Sequence, residues 1–145
     1  MRLLIAEPPA AYRQNPPAVV DSSVLAAFVY LEPEATEAEA RIGPYTLYAP
    51  NILPLEIANV AMNKLRRGSA DANDLSERLS AFDFACIQLR EAPPAEAFAL
   101  AAHYRLSAYD AAYLWLAGEL RAPLLTFDAR LSEAGRDYLA RLPPP

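Results

Sequence analysis

Four acidic residues stand at positions where a carboxylate is costly unless something uses it: Asp21, Glu56, Asp110 and Asp128. Asp21 directly follows the apolar run Ala18-Val19-Val20, and Asp128 follows Pro123-Leu124-Leu125-Thr126 where the chain leaves it. The ends of buried parallel strands are where open α/β sheets bind ligands. Asp110 lies in the first turn of a stretch, Tyr109 to Leu120, that is apolar nearly all round and therefore expected to be a buried helix. Glu56 lies in a longer helical pattern. At 100° per residue Leu53, Ile57, Val60 and Ala61 form one apolar stripe, with Glu56, Asn59 and Asn63 beside it and Leu55 and Met62 on the far flank. An acid bracketed by core positions needs a partner. Carboxylates brought together raise one another's pKa, and a bound divalent cation relieves that repulsion. With no histidine or cysteine beside them, the four acids suit a hard ion, Mg²⁺ or Mn²⁺.

Each acid also has a plainer use. Asp21 and Asp128 are good helix N-caps, and Asp110 completes a Ser-x-x-Asp capping box with Ser107. Spacing alone leaves both uses open.

The elements that must position these residues alternate. Short strands are expected at 18–20, 45–48, 86–89 and 123–126. Helices are expected at 24–31, 33–42, 52–67, 71–82, 94–104, 109–120 and 129–142. Gly43-Pro44 and Gly68 end two of the helices, and Pro93-Pro94 opens another. Alternation of this kind gives a three-layer α/β/α fold with a central parallel sheet. Residues 1–17, with Pro8, Pro9, Pro16 and Pro17, read as a proline-rich tail in which Leu3 to Ala6 could add an edge strand; residues 18–145 read as one domain.

Composition narrows the function. A chain of 145 residues, 54% hydrophobic, is long enough for one core and too apolar for disorder. No apolar run reaches the roughly 18 residues that span a membrane, and no signal peptide is evident, so a soluble cytoplasmic protein is expected. The single cysteine, Cys86, excludes an internal disulfide and a cysteine zinc site, and is expected in the core of a strand. His103 is the only histidine and sits mid-helix, a poor basis for a nucleophilic triad. The four glycines form no phosphate-binding loop. The net charge of −5 argues against binding nucleic acid by bulk positive charge, though carboxylates that hold cations can still meet a phosphate. Lys64, Arg66 and Arg67 fit a helix C-terminus better than an RNA contact. Trp115 and the tyrosines of 109–113 are at core spacing, with Tyr109 able to border a cleft.

The stretches VVDSSVLAAF, APNILPLEIANVAMNKLRRG and LSAYDAAYLWLAGELRAPLLTFDARL together resemble a PIN domain, most closely the VapC toxins of toxin–antitoxin pairs. The matching pieces are Asp21 after the first strand, Glu56 followed by Asn59, Tyr109-Asp110-Ala111, and Thr126-Phe127-Asp128, in that order. Any one is weak; four in sequence are specific. The departure is the tail, because such toxins usually begin close to the first strand. The resemblance implies a metal-dependent endoribonuclease in which Asp21 and Asp110 hold Mg²⁺ with help from Glu56 and Asp128. It also implies orienting roles for Ser22, Asn59 and Thr126, an RNA substrate, a cognate antitoxin and a homodimer. A PIN nuclease of RNA processing without an antitoxin, and a catalytically silent cation-binding module, are the alternatives. Phosphoryl-transfer enzymes resembling haloacid dehalogenases carry Asp-x-Asp after the strand, which Asp21-Ser22-Ser23 does not match.

Overall fold

Ala18, Val19 and Val20 offer no polar side-chain atom, so the strand they form must be covered on both faces. In the computed structural model, which describes Leu4, Ala6 and residues 15–145, all three are fully buried. They form β1 (Pro17–Val20), paired on one side with β2 (Thr46–Pro50) and on the other with β4 (Leu124–Leu125). Outside β2 lies β3 (Gln88–Arg90), giving a parallel sheet of order β3-β2-β1-β4. Ala18 is in register with Leu47, and Val19 with both Tyr48 and Leu124.

Helices cover the sheet on both sides, giving the expected three-layer α/β/α architecture. One group comprises α1 (Ser22–Val29), α2 (Ala35–Ile42), α3 (Leu53–Arg66) and α4 (Ala72–Ala81), with α1 packed on α2 and α3. The other comprises α5 (Pro94–Tyr104), α6 (Ala108–Leu120) and α7 (Ala129–Ala140). The α6 helix packs on β1, β2 and β4 and lies between α5 and α7. Its near-continuous apolar surface is used on all sides, and Tyr113, Leu114 and Ala117 are among the most buried residues. Within the first group the Tyr30 hydroxyl donates to the Ile57 carbonyl oxygen at 2.8 Å, tying α1 to α3. Lys64 pairs with Glu32 at 2.6 Å and stands over the Tyr30 ring. Gly68 takes the left-handed conformation, φ 66°, that closes α3.

Four expectations need correction. Cys86 is exposed and belongs to a short 3-10 turn, Phe84–Cys86, rather than to a strand. Asp83 causes this: its carboxylate accepts from the Ala85 N–H at 2.9 Å and starts the turn, so β3 begins only at Gln88. Leu55 and Met62 are exposed rather than core, because α3 turns Leu53 and Ile57 inward and its other flank to the surface. Trp115 is only half-buried; its indole N–H donates to Glu96 on α5. Of the proposed edge strand, Leu4 and Ala6 are exposed and in no regular element, and Leu3 and Ile5 lie outside the described residues.

The seat of α6 on α7 depends on a missing side chain. A Cβ at Gly118 would lie 2.6 Å from the Tyr138 ring. Overpacking costs about 1–3 kcal/mol, against about 1 kcal/mol by which alanine favours a helix over glycine. Gly118→Ala should therefore lower the melting temperature. In a Tyr138→Ala background the same change should be neutral or stabilising, and thermal unfolding of the four proteins checks the coupling.

Candidate active site

A chain that runs from β1 toward β2 and β3, then returns past β1 to β4, opens a crevice between the C-terminal ends of β1 and β4. Asp21 enters it from β1, and Thr126 to Asp128 enter it from β4. Asp21 is the one buried charged residue among those described, 4% exposed. Its Oδ1 accepts from the Ser23 N–H at 2.8 Å, the Ser23 hydroxyl at 2.5 Å and the Val24 N–H at 3.3 Å. Its Oδ2 accepts from the Thr126 hydroxyl at 2.6 Å, across the crevice. Thr126 Oγ1 in turn accepts from the Asp128 N–H at 2.9 Å, and Ser23 Oγ from the Phe127 N–H at 2.9 Å. Two hydroxyls thus lock the turn after β4 onto one carboxylate.

Glu56 projects from the first turn of α3 and Asp110 from the first turn of α6. Asp128 caps α7, with Oδ1 accepting from the Leu131 N–H at 2.9 Å. The Ser107 hydroxyl caps α6 by accepting from the Asp110 N–H at 3.0 Å. The carboxylates of Asp21 and Asp128 therefore do cap helices, whereas the Ser-x-x-Asp box is made from the Ser107 side alone and leaves the Asp110 carboxylate without a described capping bond. Glu56 lies within electrostatic reach of both Asp21 and Asp110, and Asp110 within reach of Asp128.

The environment favours the protonated acids. Burial is the main cause lifting the Asp21 carboxyl above its ordinary pKa, against the pull of Ser23, Thr126 and the Val24 amide. Glu56 is lifted first by burial and then by the charges of Asp110 and Asp21, with a Tyr113 hydrogen bond opposing. Asp110 is lifted by burial and by Asp128, with the Ser107 hydroxyl and Arg130 opposing. Burial and the same three acids, Glu56, Asp21 and Asp110, hold the Tyr113 hydroxyl firmly protonated.

Two participants escaped the sequence reading. The hydroxyl that serves Asp21 from its own loop belongs to Ser23; Ser22, expected in that place, makes none of these bonds. The Asx-turn spacing of two residues was the available signal. Tyr113, assigned to the core, is 1% exposed yet donates its hydroxyl to Glu56 Oε1 at 2.6 Å. Its place one helical turn after Asp110 was the signal there. Asn59 is exposed on α3 and Tyr109 is exposed beside Asp110. His103 is exposed, stacked edge-on against Tyr104, and takes no part.

Residues 18–137 match the PIN domain family. The chain belongs to that family. Its sequence is VapC-like: it is 32% identical over 121 residues to Ribonuclease VapC3 of Pyrobaculum aerophilum, covering 79% of this chain and 92% of that protein. Its fold is similar to the crystal structure of PAE2754 from Pyrobaculum aerophilum, with a TM-score of 0.66 at 22% identity over 92% of this chain and 94% of that one. No helix among the described residues is long and apolar enough to cross a membrane.

A hard divalent cation fits this donor set by its chemistry. The donors are all carboxylate oxygens, and both Asp21 and Glu56 keep acceptor capacity beyond the bonds described. The fit is not preformed: no three histidine, cysteine, aspartate or glutamate side chains among the described residues are already gathered as a ligand cage.

Raised carboxyl pKa values carry a stability signature. The folded state holds protons more tightly than the unfolded chain, so the site's contribution is present below about pH 4 and is lost as pH rises through the raised folded values. Asp110→Asn removes one charge from the cluster while leaving the Ser107 cap intact. The metal-free variant should melt at or above the wild-type temperature at pH 7, with a shallower fall between pH 4 and pH 7. A loss of about 1 kcal/mol or more at pH 7, measured by thermal unfolding across pH, would show that the cost of a charge at Asp110, from burial first and Asp128 second, is not the dominant effect there.

Proposed function

We propose that this chain is a metal-dependent endoribonuclease of the VapC kind, the toxin of a toxin–antitoxin pair. What supports the reading is that Glu56 lies within electrostatic reach of both Asp21 and Asp110 and that all three carboxyls are pushed above their ordinary pKa, first by burial. Similarity to Ribonuclease VapC3 over most of both chains supplies the substrate class. The candidate catalytic domain is residues 18–145, with Pro17 beginning its first strand. A homodimer and a cognate antitoxin belong to the same proposal.

Asp21, Glu56 and Asp110 would hold Mg²⁺ or Mn²⁺, with Asp128 joining from the start of α7. Such an ion, when bound, polarises a phosphodiester oxygen and acidifies water. The chain's own residues do the remaining work. Thr126 and Ser23 fix the Asp21 carboxylate, so its lone pairs are aimed before substrate arrives. Asn59, exposed one turn beyond Glu56, would help orient the carboxylates or a metal-bound water. Tyr109, exposed beside Asp110, offers a ring face on which an unpaired base can stack. The acids themselves repel a phosphate backbone, so RNA engagement depends on the cation and should be weak in its absence.

Purified protein should cut single-stranded RNA in Mg²⁺ or Mn²⁺ and lose activity in chelator. Asp21→Asn and Asp110→Asn should each lower the rate by about a thousandfold or more, since a bound metal contributes several kcal/mol to the transition state. Intact RNA after incubation with folded wild-type protein in both metals would remove the nuclease reading. Activity that survives both substitutions would remove the two acids from the catalytic reading. Growth arrest on expression, relieved by the adjacent gene, tests the antitoxin half.

A further inference from the structure

Among the described residues two tyrosines, Tyr30 and Tyr113, are buried, and each hydroxyl needs an acceptor. Tyr30 finds a backbone carbonyl, that of Ile57, which any helix could offer. Tyr113 finds the carboxylate of Glu56, 57 residues away in sequence, at 2.6 Å. The ring is 1% exposed and fixed in the interior of α6, the helix that also carries Asp110 one turn earlier. Glu56 stands on α3, in the opposite helical layer. The contact therefore spans the two layers at the open edge of the sheet and sets one acid of the cluster from the helix that presents another.

We infer that Tyr113 is a positioning residue for Glu56, holding Oε1 so that Oε2 is the oxygen left to take a divalent cation. The inference rests on the metal-site reading above. The chemistry of the donor matters. A lysine or arginine at this place would orient Glu56 equally well but would neutralise it and compete with the cation. A phenol orients the carboxylate and leaves its charge in place. Burial makes the arrangement rigid: a closely packed ring has no other rotamer to occupy. A flexible glutamate would lose side-chain freedom each time it took a cation, and here that loss has already been met in folding. Glu56 is the longest of the four acids, and among the described residues its carboxylate is held by Tyr113 rather than by its own loop.

The test is Mn²⁺ binding to folded, RNA-free protein by calorimetry, in a cycle of wild type, Tyr113→Phe, Glu56→Gln and the double variant. Phenylalanine keeps the ring and its packing, and circular dichroism and metal-free melting confirm the fold. Tyr113→Phe should weaken Mn²⁺ binding by about 10-fold or more, as loss of a ligand's outer partner does. The metal concentration for half-maximal RNA cleavage should rise with it, while the rate at saturating Mn²⁺ changes less. In the Glu56→Gln background Tyr113→Phe should change Mn²⁺ affinity by less than about 2-fold, because the group it positions no longer carries the charge. Wild-type affinity in Tyr113→Phe, or an equal loss in both backgrounds, overturns the positioning role and leaves the metal site standing. Wild-type protein that binds no Mn²⁺ overturns the metal-site reading, and this inference with it.

Discussion

Concentrated negative charge at one edge of a sheet is the constraint that the rest of this structure must satisfy. Each of the four acids is attached at the N-terminal end of a different helix: Asp21 at α1, Glu56 at α3, Asp110 at α6 and Asp128 at α7. Parallel α/β topology makes this possible, since helices that return the chain antiparallel to the strands all begin at the same edge. Each N-terminus offers unpaired N–H groups and a partial positive charge, worth about 0.3–1 kcal/mol to a nearby anion and up to about 2 when partly buried. The helix ends make the cluster tolerable without neutralising it. Burial is the first cause lifting the carboxyls of Asp21, Glu56 and Asp110 above their ordinary pKa, and neighbouring acids add to it at Glu56 and Asp110.

Asp21 is the centre of the arrangement because it meets two demands at once. It caps α1, which fixes the helix to the end of β1, and it receives Thr126, which fixes β4 to β1 beyond their short ladder. With only two residues in β4, backbone pairing alone holds that edge loosely. The hydroxyls of Thr126 and Ser23 extend the attachment through the turn to Asp128. Stability at the crevice and geometry at the candidate site are thus set by the same bonds.

The layered fold and the four acids were legible in the sequence because both rest on local patterns: apolar runs of strand length ending in aspartate, and helical spacing around Glu56 and Asp110. The sequence posed capping and convergence as alternatives for Asp21, Asp110 and Asp128; the structure shows capping by the Asp21 and Asp128 carboxylates but not by that of Asp110, and it puts Asp110 within electrostatic reach of Asp128. Tyr113 was hidden because its type and spacing are those of a core residue, and its polar tip is explained only by a partner on a distant helix. Cys86 was misplaced because one aspartate, Asp83, turned the expected strand start into a 3-10 turn. Leu55 and Met62 were misplaced because apolar type was read as burial on a helix that has two apolar flanks and one neighbouring layer.

The bond from Thr126 to Asp21 joins residues 105 positions apart, nearly the span of the whole fold. Contacts of such long range carry a loop-closure penalty that only the packing of the intervening elements offsets. The carboxylate that follows the first central strand therefore acquires its orienting hydroxyl only when the last strand has docked. During synthesis, β1, α1 and α3 emerge with Asp21 and Glu56 well before Tyr113, Thr126 or Asp128 exist to hold or join them. A partly made or partly folded chain has the acids without their alignment. Competence at this edge is tied to completion of the fold, so a growing chain still attached to its ribosome, surrounded by RNA, carries an unassembled centre.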